Sequence, residues 1–190
     1  LEPNKGDVTI DKNERMSVLM QNQNAYDDCT VRDAVMWGHK RLMEVARERD
    51  ALYAKPDFSD EDGERAAILE GEFADMNGYE AESAAETLLQ GLKIDSSLFD
   101  MLMADIDAKL KVKVLLAQSL FGSPDILVLD EPTNNLDAKS VKWLEDYLMS
   151  LEDTTVIIVS HNRHFLDKVC TLICLKSTSL MCVHTLFKKC

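Results

Sequence analysis

Four apolar residues, Ile126, Leu127, Val128 and Leu129, run straight into Asp130 and Glu131. Such a run reads as a strand buried in a sheet. The tips of buried parallel strands are where an α/β protein holds a metal–nucleotide complex. Pro132, Thr133, Asn134, Asn135 and Leu136 follow as a turn, and a helix opens after Asp137. A second apolar run, Thr155 to Val159 by number 155–159, ends in Ser160 and His161. One tip therefore offers two carboxylates and the other a hydroxyl and an imidazole. An isolated Asp-Glu is more often a turn or helix cap, and an isolated Ser-His more often structural. The joint order, strand, Asp-Glu, helix, strand, Ser-His, is what points to chemistry.

The chain has 190 residues, enough for one compact domain or a large piece of one. Its formal net charge of −13 argues against a general basic surface for nucleic acid, while leaving room for a local basic face. No apolar run approaches the roughly 20 residues of a bilayer span. The five cysteines, Cys29, Cys170, Cys174, Cys182 and Cys190, lack zinc-type spacing and read as free thiols in a reducing compartment. The chain opens on Leu1 rather than Met and reads as an internal fragment.

Residues 7–20 alternate like strands, with Val8, Ile10, Met16, Val18 and Met20 as the inward set, and Gln21 follows. Thr30 with Asp33 resembles a capping box that starts a helix running to about Tyr53. Ser59 and Asp60 start another, with Ala67, Leu69, Phe73 and Met76 inward, broken at Asn77 and Gly78. A third covers residues 79–90 and ends at Gly91. Taken alone, this stretch is a solvated helical insertion. A helix over 108–121 carries Val112, Leu115, Leu116 and Leu120 on one face, with Lys109, Lys111 and Lys113 largely off it. A helix over 138–151 carries Val141, Leu144, Leu148 and Leu151, and a short one holds Phe165 and Val169. Strands alternating with helices predict an α/β fold with a mostly parallel sheet and an inserted helical arm.

Hydrolysis of a nucleoside triphosphate needs a phosphate cradle, a divalent cation, an aligned water and a donor for charge on the terminal phosphate. Asp130 suits Mg²⁺, a hard cation that keeps part of its water shell. Glu131 is the candidate to polarise water. His161 is the candidate donor to the γ-phosphate. Gln21 can reach the metal or the water through its amide oxygen.

These residues resemble the ATP-binding cassette (ABC) superfamily of P-loop NTPases. Asp130 and Glu131 are similar to the end of its Walker B motif, Asn135, Leu136 and Asp137 to its D-loop, Ser160 and His161 to its H-loop, and Gln21 to its Q-loop. The wording of 132–137 and of 160–166 resembles the ABC-F subfamily, which usually carries Asp in place of Asn162. The resemblance reaches about Cys174 and is closest to a first cassette. It implies ATP and Mg²⁺ as ligands. Glu131 and His161 would be catalytic, Gln21, Asp130, Ser160 and Asp137 would contact the nucleotide, and Asp130 and Gln21 would hold the metal. It divides the chain into a core piece (1–30), a helical arm and subdomain (31–105), a second core piece (106–174) and an atypical tail (175–190).

The resemblance further implies a cytoplasmic ATPase that pairs with a second cassette of the same parent chain and acts on the ribosome in translation, through rRNA or tRNA, without direct membrane insertion. Lys40, Arg41, Arg47 and Arg49 would supply its local basic patch. The energising subunit of an ABC membrane transporter is the alternative, disfavoured by the helical insertion. Two family features are missing: no GxxxxGK[ST] phosphate loop occurs, and the signature positions read Ile106, Asp107, Ala108, Lys109, Leu110 in place of Leu-Ser-Gly-Gly-Gln. Negligible ATP turnover is therefore expected from these residues alone, with Asp107 repelling phosphate.

Overall fold

A computed structural model describes residues 9–11, 14–176 and 179–185, with side chains described up to residue 171. Strand β1 (Met16–Val18) is followed by helices α1 (Val31–Met36), α2 (Lys40–Tyr53), α3 (Asp60–Asp75), α4 (Ala81–Gly91) and α5 (Ala108–Leu120). Then come β2 (Ile126–Asp130), α6 (Ala138–Ser150), β3 (Thr155–Val159), α7 (Arg163–Val169), β4 (Leu172–Lys176) and β5 (Ser179–Thr185). The sheet order is β1-β2-β3-β5-β4. The first three strands are parallel, as the α/β reading requires, and β5 runs antiparallel to both β3 and β4. The backbone of the atypical tail thus contributes to a hairpin; its side chains lie outside the description. No described helix is long and apolar enough to cross a membrane.

The strands are not buried on both faces. Leu127, Leu129, Val156 and Ile158 are buried, whereas Ile126, Val128, Ile157 and Val159 on the other face are only half-buried. The inward set joins Leu116, Leu120, Leu144, Leu148 and Phe165 in one apolar cluster. The N-terminal alternation is corrected more sharply. Ile10 lies outside any strand, Ile10, Met16 and Met20 are exposed, Val18 is half-buried, and Ser17 is the buried residue of β1. Val8 falls outside the described residues. A three-residue strand offers no periodicity strong enough to fix which side chain faces in.

The expected long helix from Thr30 is two helices. Thr30 Oγ1 accepts from Asp33 N–H at 3.1 Å, so the cap stands. The chain then breaks at Trp37, Gly38 and His39. A Cβ on Gly38 would sit 2.0 Å from the backbone oxygen of Gln118, so only glycine lets this corner lie on α5. His39 restarts the chain as α2, its Nδ1 accepting from Leu42 N–H at 3.1 Å. Ser59 caps α3 in a reciprocal box with Asp62. Ala66 rather than Ala67 faces in, beside Leu69 and Phe73. Gly91 ends α4 where a Cβ would meet the Trp143 ring of α6 at 2.0 Å.

The helical stretch is therefore not merely a solvated insertion. The apolar cluster includes Val31, Val35, Leu69, Phe73, Leu88 and Leu89 together with the residues of the sheet layer. Helices α2 and α3 pack on each other as a hairpin, and ion pairs on its surface bind them to each other. Arg65 grips Glu48 at 2.7 and 2.9 Å, Arg41 grips Glu72, Lys55 reaches Asp62, and Arg49 lies 3.8 Å from Glu70. The expected basic patch does not form as free cations. Lys40 lies 3.6 Å from Glu44, Arg41 and Arg49 are paired as described, and the Arg47 guanidinium stacks over Trp37 at 4.5 Å. The thiol expectation holds for Cys29 but not for Cys170, which is disulfide-bonded.

Candidate functional site

Parallel β1, β2 and β3 bring their C-terminal ends to one edge of the sheet. Val18 pairs with Val128, and Asp130 pairs with Val159, so the segments starting at Leu19, Glu131 and Ser160 leave the sheet side by side. Two polar groups form there. In the first, Gln21 Nε2 donates to Asp130 Oδ2 at 3.1 Å. In the second, the Glu131 carboxylate accepts from the Ser160 hydroxyl at 3.1 Å and from His161 N–H at 2.9 Å. The His161 imidazole stands over the same carboxylate, with Nε2 3.6 Å from Oε1. Five of the six sequence-predicted residues thus meet at one sheet edge.

Local geometry explains how. Glu131 has φ of +46°, a left-handed backbone that turns the chain out of β2 at once, while its N–H still donates to Val159 O at 2.8 Å. Asn135 repeats the left-handed conformation at φ of +65° before Asp137 starts α6. Ser160 is fully buried, and its oxygen accepts from Asn162 N–H at 3.2 Å. Asn162 then caps α7 by accepting from Phe165 N–H at 3.1 Å, the service an Asp would perform. His161 and Asp130 remain exposed, so a ligand can reach them.

Asp137, the sixth residue, belongs to a different group. Its carboxylate caps α6 through the N–H groups of Lys139 and Ser140, both at 3.0 Å, and accepts from the Ser140 hydroxyl at 2.9 Å. Lys113 Nζ donates to it at 3.0 Å. The Ser140 N–H and then Lys113 hold this carboxyl well below the usual carboxylate range.

Lys113 was expected off the apolar face; instead it is buried, and so is Lys111. Helix α5 is surrounded, so its lysines end on polar partners: Lys111 on Asp27 and Asn24, Lys113 on Leu92 O, Asp137 and Ser140. Arg15 was also missed. Its guanidinium donates to Gly38 O and Phe121 O, both at 3.1 Å, and to Gly122 O, so one cation satisfies carbonyls at the ends of α1 and α5. Burial lowers its pKa, and Asp125 partly offsets the shift. Nothing in the local sequence separates these three cations from solvated ones.

A cleft of about 640 Å³ lies elsewhere, lined by Leu42, Met76, Leu88, Phe121 and Tyr147 among others. It also touches Gly122 and Ser123, which precede β2, and so sits away from the strand tips. Among the described residues no group of three or more His, Cys, Asp or Glu could hold a metal ion.

Known proteins resemble this chain in sequence. The chain is 58% identical over 171 residues to an uncharacterized ABC transporter ATP-binding protein, YkpA, of Bacillus subtilis (strain 168), covering 90% of this chain and 32% of that protein. It is 50% identical over 171 residues to the probable ATP-binding protein YbiT of Escherichia coli O157:H7, again covering 90% and 32%. ABC transporter F family member 2 of Arabidopsis thaliana is 32% identical over 182 residues, covering 90% of this chain and 26% of that protein. The chain belongs to the ABC family, in its F branch. No family model matches it.

Solved ABC cassettes share the fold. A dimeric post-hydrolysis state of the cassette MJ0796 bound to ADP and Pi superposes with a TM-score of 0.53 at 17% identity, covering 80% of this chain and 54% of that one. An ATP-binding subunit of an ABC transporter gives a TM-score of 0.55 at 13% identity, covering 82% and 52%. The chain spans about a third (32%) of the length of the first two curated relatives named above.

Proposed function

We propose that the strand-tip edge is the metal and water side of an ATP-hydrolysing site. The observation that carries this reading is the pairing of two groups on adjacent tips: Gln21 on Asp130, and Ser160 and His161 on Glu131. The first group fits Mg²⁺. It presents one exposed carboxylate beside an amide, whose oxygen and nitrogen exchange places by a flip. Mg²⁺ takes one or two such protein oxygens and completes its shell with water and phosphate. Asp130 and Gln21 would hold the cation, which would supply positive charge against the charge that develops on the phosphate.

The chain's own residues do the rest. Asp130 and Gln21 hold the cation side. Glu131 keeps its carboxylate aimed by two hydrogen bonds and retains lone pairs to accept a proton from water. His161 leaves its imidazole exposed beside Glu131, where it can donate to a terminal phosphate oxygen. Asp137 contributes by fixing the turn that leaves Glu131. The phosphate cradle is not in this sequence, so the 190 residues by themselves turn over ATP negligibly.

The F-branch resemblance extends the proposal to a cytoplasmic protein working with a second cassette, and to the ribosome. Arg41 and Arg49 already face carboxylates, so a ribosome contact through them would exchange those partners for phosphate.

The test is Glu131→Gln in the protein at its natural full length. ATP turnover should fall by about 10²- to 10⁴-fold, with ATP binding retained. Turnover equal to wild type would end the assignment of Glu131.

A further inference from the structure

Two lysines of helix α5 reach two of the three segments that carry the strand-tip residues. Asp107 starts the helix by accepting from the N–H groups of Lys109 and Leu110 at 2.8 and 3.0 Å. Lys111 and Lys113 follow two residues apart. At about 100° per residue their side chains leave the helix on nearly opposite sides. Lys111 Nζ donates to Asp27 Oδ1 at 2.5 Å and Asn24 Oδ1 at 3.3 Å, in the loop that carries Gln21. Lys113 Nζ donates to Asp137 Oδ2 and Leu92 O, both at 3.0 Å, and approaches Ser140 Oγ at 3.4 Å. Asp137 closes the turn that begins at Glu131.

Both lysines are nearly excluded from solvent, with side-chain exposures of 9% and 11%. A buried ammonium without partners is strongly disfavoured, so each end of this arrangement is specified rather than free to wander. A solvated lysine would hold nothing in place. The Leu92 carbonyl adds a third connection, because it lies just past α4 and accepts from both Lys113 and Ser140. The helical stretch, α5 and the start of α6 therefore meet on one cation.

We infer that Lys111 and Lys113 are positioning residues for the strand-tip site, the first setting the Gln21 loop and the second the turn from Glu131 to Asp137. The inference rests on the ATPase reading for its catalytic consequence and stands independently in its structural one. Neither lysine touches the reacting atoms. Each acts through a carboxylate that fixes a loop end.

The test uses the full-length protein with Lys111→Met, Lys113→Met and the corresponding Arg variants, measured for amide hydrogen exchange and for ATP kinetics. In Lys113→Met, exchange over residues 132–140 should rise about tenfold while residues 19–28 keep their wild-type rates. Lys111→Met should show the reverse pattern. In both, kcat should fall about tenfold with the KM for ATP within about twofold. Arg at either position should restore most of the loss, since it keeps the charge and the donors. Exchange that rises in both segments alike, or in neither, overturns the inference, and so does failure of the Arg variants to recover. If Lys113→Met does not fold, Asp137→Asn removes the same ion pair from the other end and should loosen the same segment. Wild-type protein without ATP turnover would sink the ATPase reading, and the exchange pattern alone would then decide the positioning claim.

Discussion

The α2–α3 hairpin and helix α5 use the same chemistry with opposite physical consequences. Both set Lys or Arg against Asp or Glu. In the hairpin the partners are open to water, as with Arg65 and Glu48 at 43% and 42% exposure. Solvent and salt can substitute for each other's partner there, so no single pair decides the structure. In α5 the ammonium groups are buried, at 9% and 11% exposure, although their partners Asp27 and Asp137 are open at 35% and 51%. Water reaches the carboxylates but does not readily replace a partner lost from the cations. The hairpin is held by a redundant set of weak pairs. The strand-tip region is held by a few that have no ready substitute. An ion pair is informative about function only when its surroundings are known.

The largest effect should come where the two regions join. Gly38→Ala forces a Cβ onto the Gln118 carbonyl, a backbone atom that cannot swing away. It should cost about 3 kcal/mol of overpacking, read as a lower Tm in thermal unfolding. An unchanged Tm would mean that the corner after α1 does not lie on α5.

Next comes a direct pairwise contrast. Lys113→Met should cost about 1–3 kcal/mol in denaturant unfolding, because it strips a buried carbonyl and a carboxylate of a donor. Arg65→Gln should leave the unfolding midpoint essentially where it was. Equal effects would break the comparison.

Acid should separate the regions again. Arg65 holds the Glu48 carboxyl below its ordinary range, Arg41 does so for Glu72, Lys55 for Asp62 and the Tyr79 hydroxyl for Glu70. A lowered folded-state pKa gives stability that is complete above the unfolded value of about 4 and is lost as pH falls through the folded value. Amide exchange in α2 and α3 should therefore quicken as pH drops below about 4. The Asp137 carboxyl is lowered as well, so the 132–140 turn should follow at still lower pH if its cap and Lys113 act as described.

The smallest effect should be that of salt. About 1 M NaCl shortens the screening length to roughly 3 Å. It should speed exchange modestly in the hairpin and leave the 132–140 turn unchanged. A salt response in that turn would show that Lys113 is wetter than its burial indicates.

Much of this was legible in the sequence. The strand ends at Asp130 and Val159, the caps at Thr30, Ser59 and Asp137, and the helices over α3 to α7 follow from local rules about who can hydrogen-bond an open helix end and which residues tolerate a pleat. Five of the six candidate site residues also meet at one edge, because parallel pairing leaves strand ends no other place to go. The reading went wrong where local pattern is weak. β1 is too short to declare its face, and the choice between Ala66 and Ala67 turns on the angle at which α3 meets its neighbours.

By itself, then, the sequence determined the order of strands and helices from α3 to α7, the branch of the ABC family, and which acids and imidazole share the sheet edge. These depend on residues near one another along the chain. Only the tertiary structure decided that Lys111 and Lys113 are buried ties and Arg15 a half-buried one rather than solvated charges, that the hairpin's basic residues are already paired, and that the Asp137 carboxylate is held by Lys113. Periodicity reports which side of a helix a residue occupies. It cannot report how many neighbours surround that helix, and burial with its electrostatic consequences is set by those neighbours.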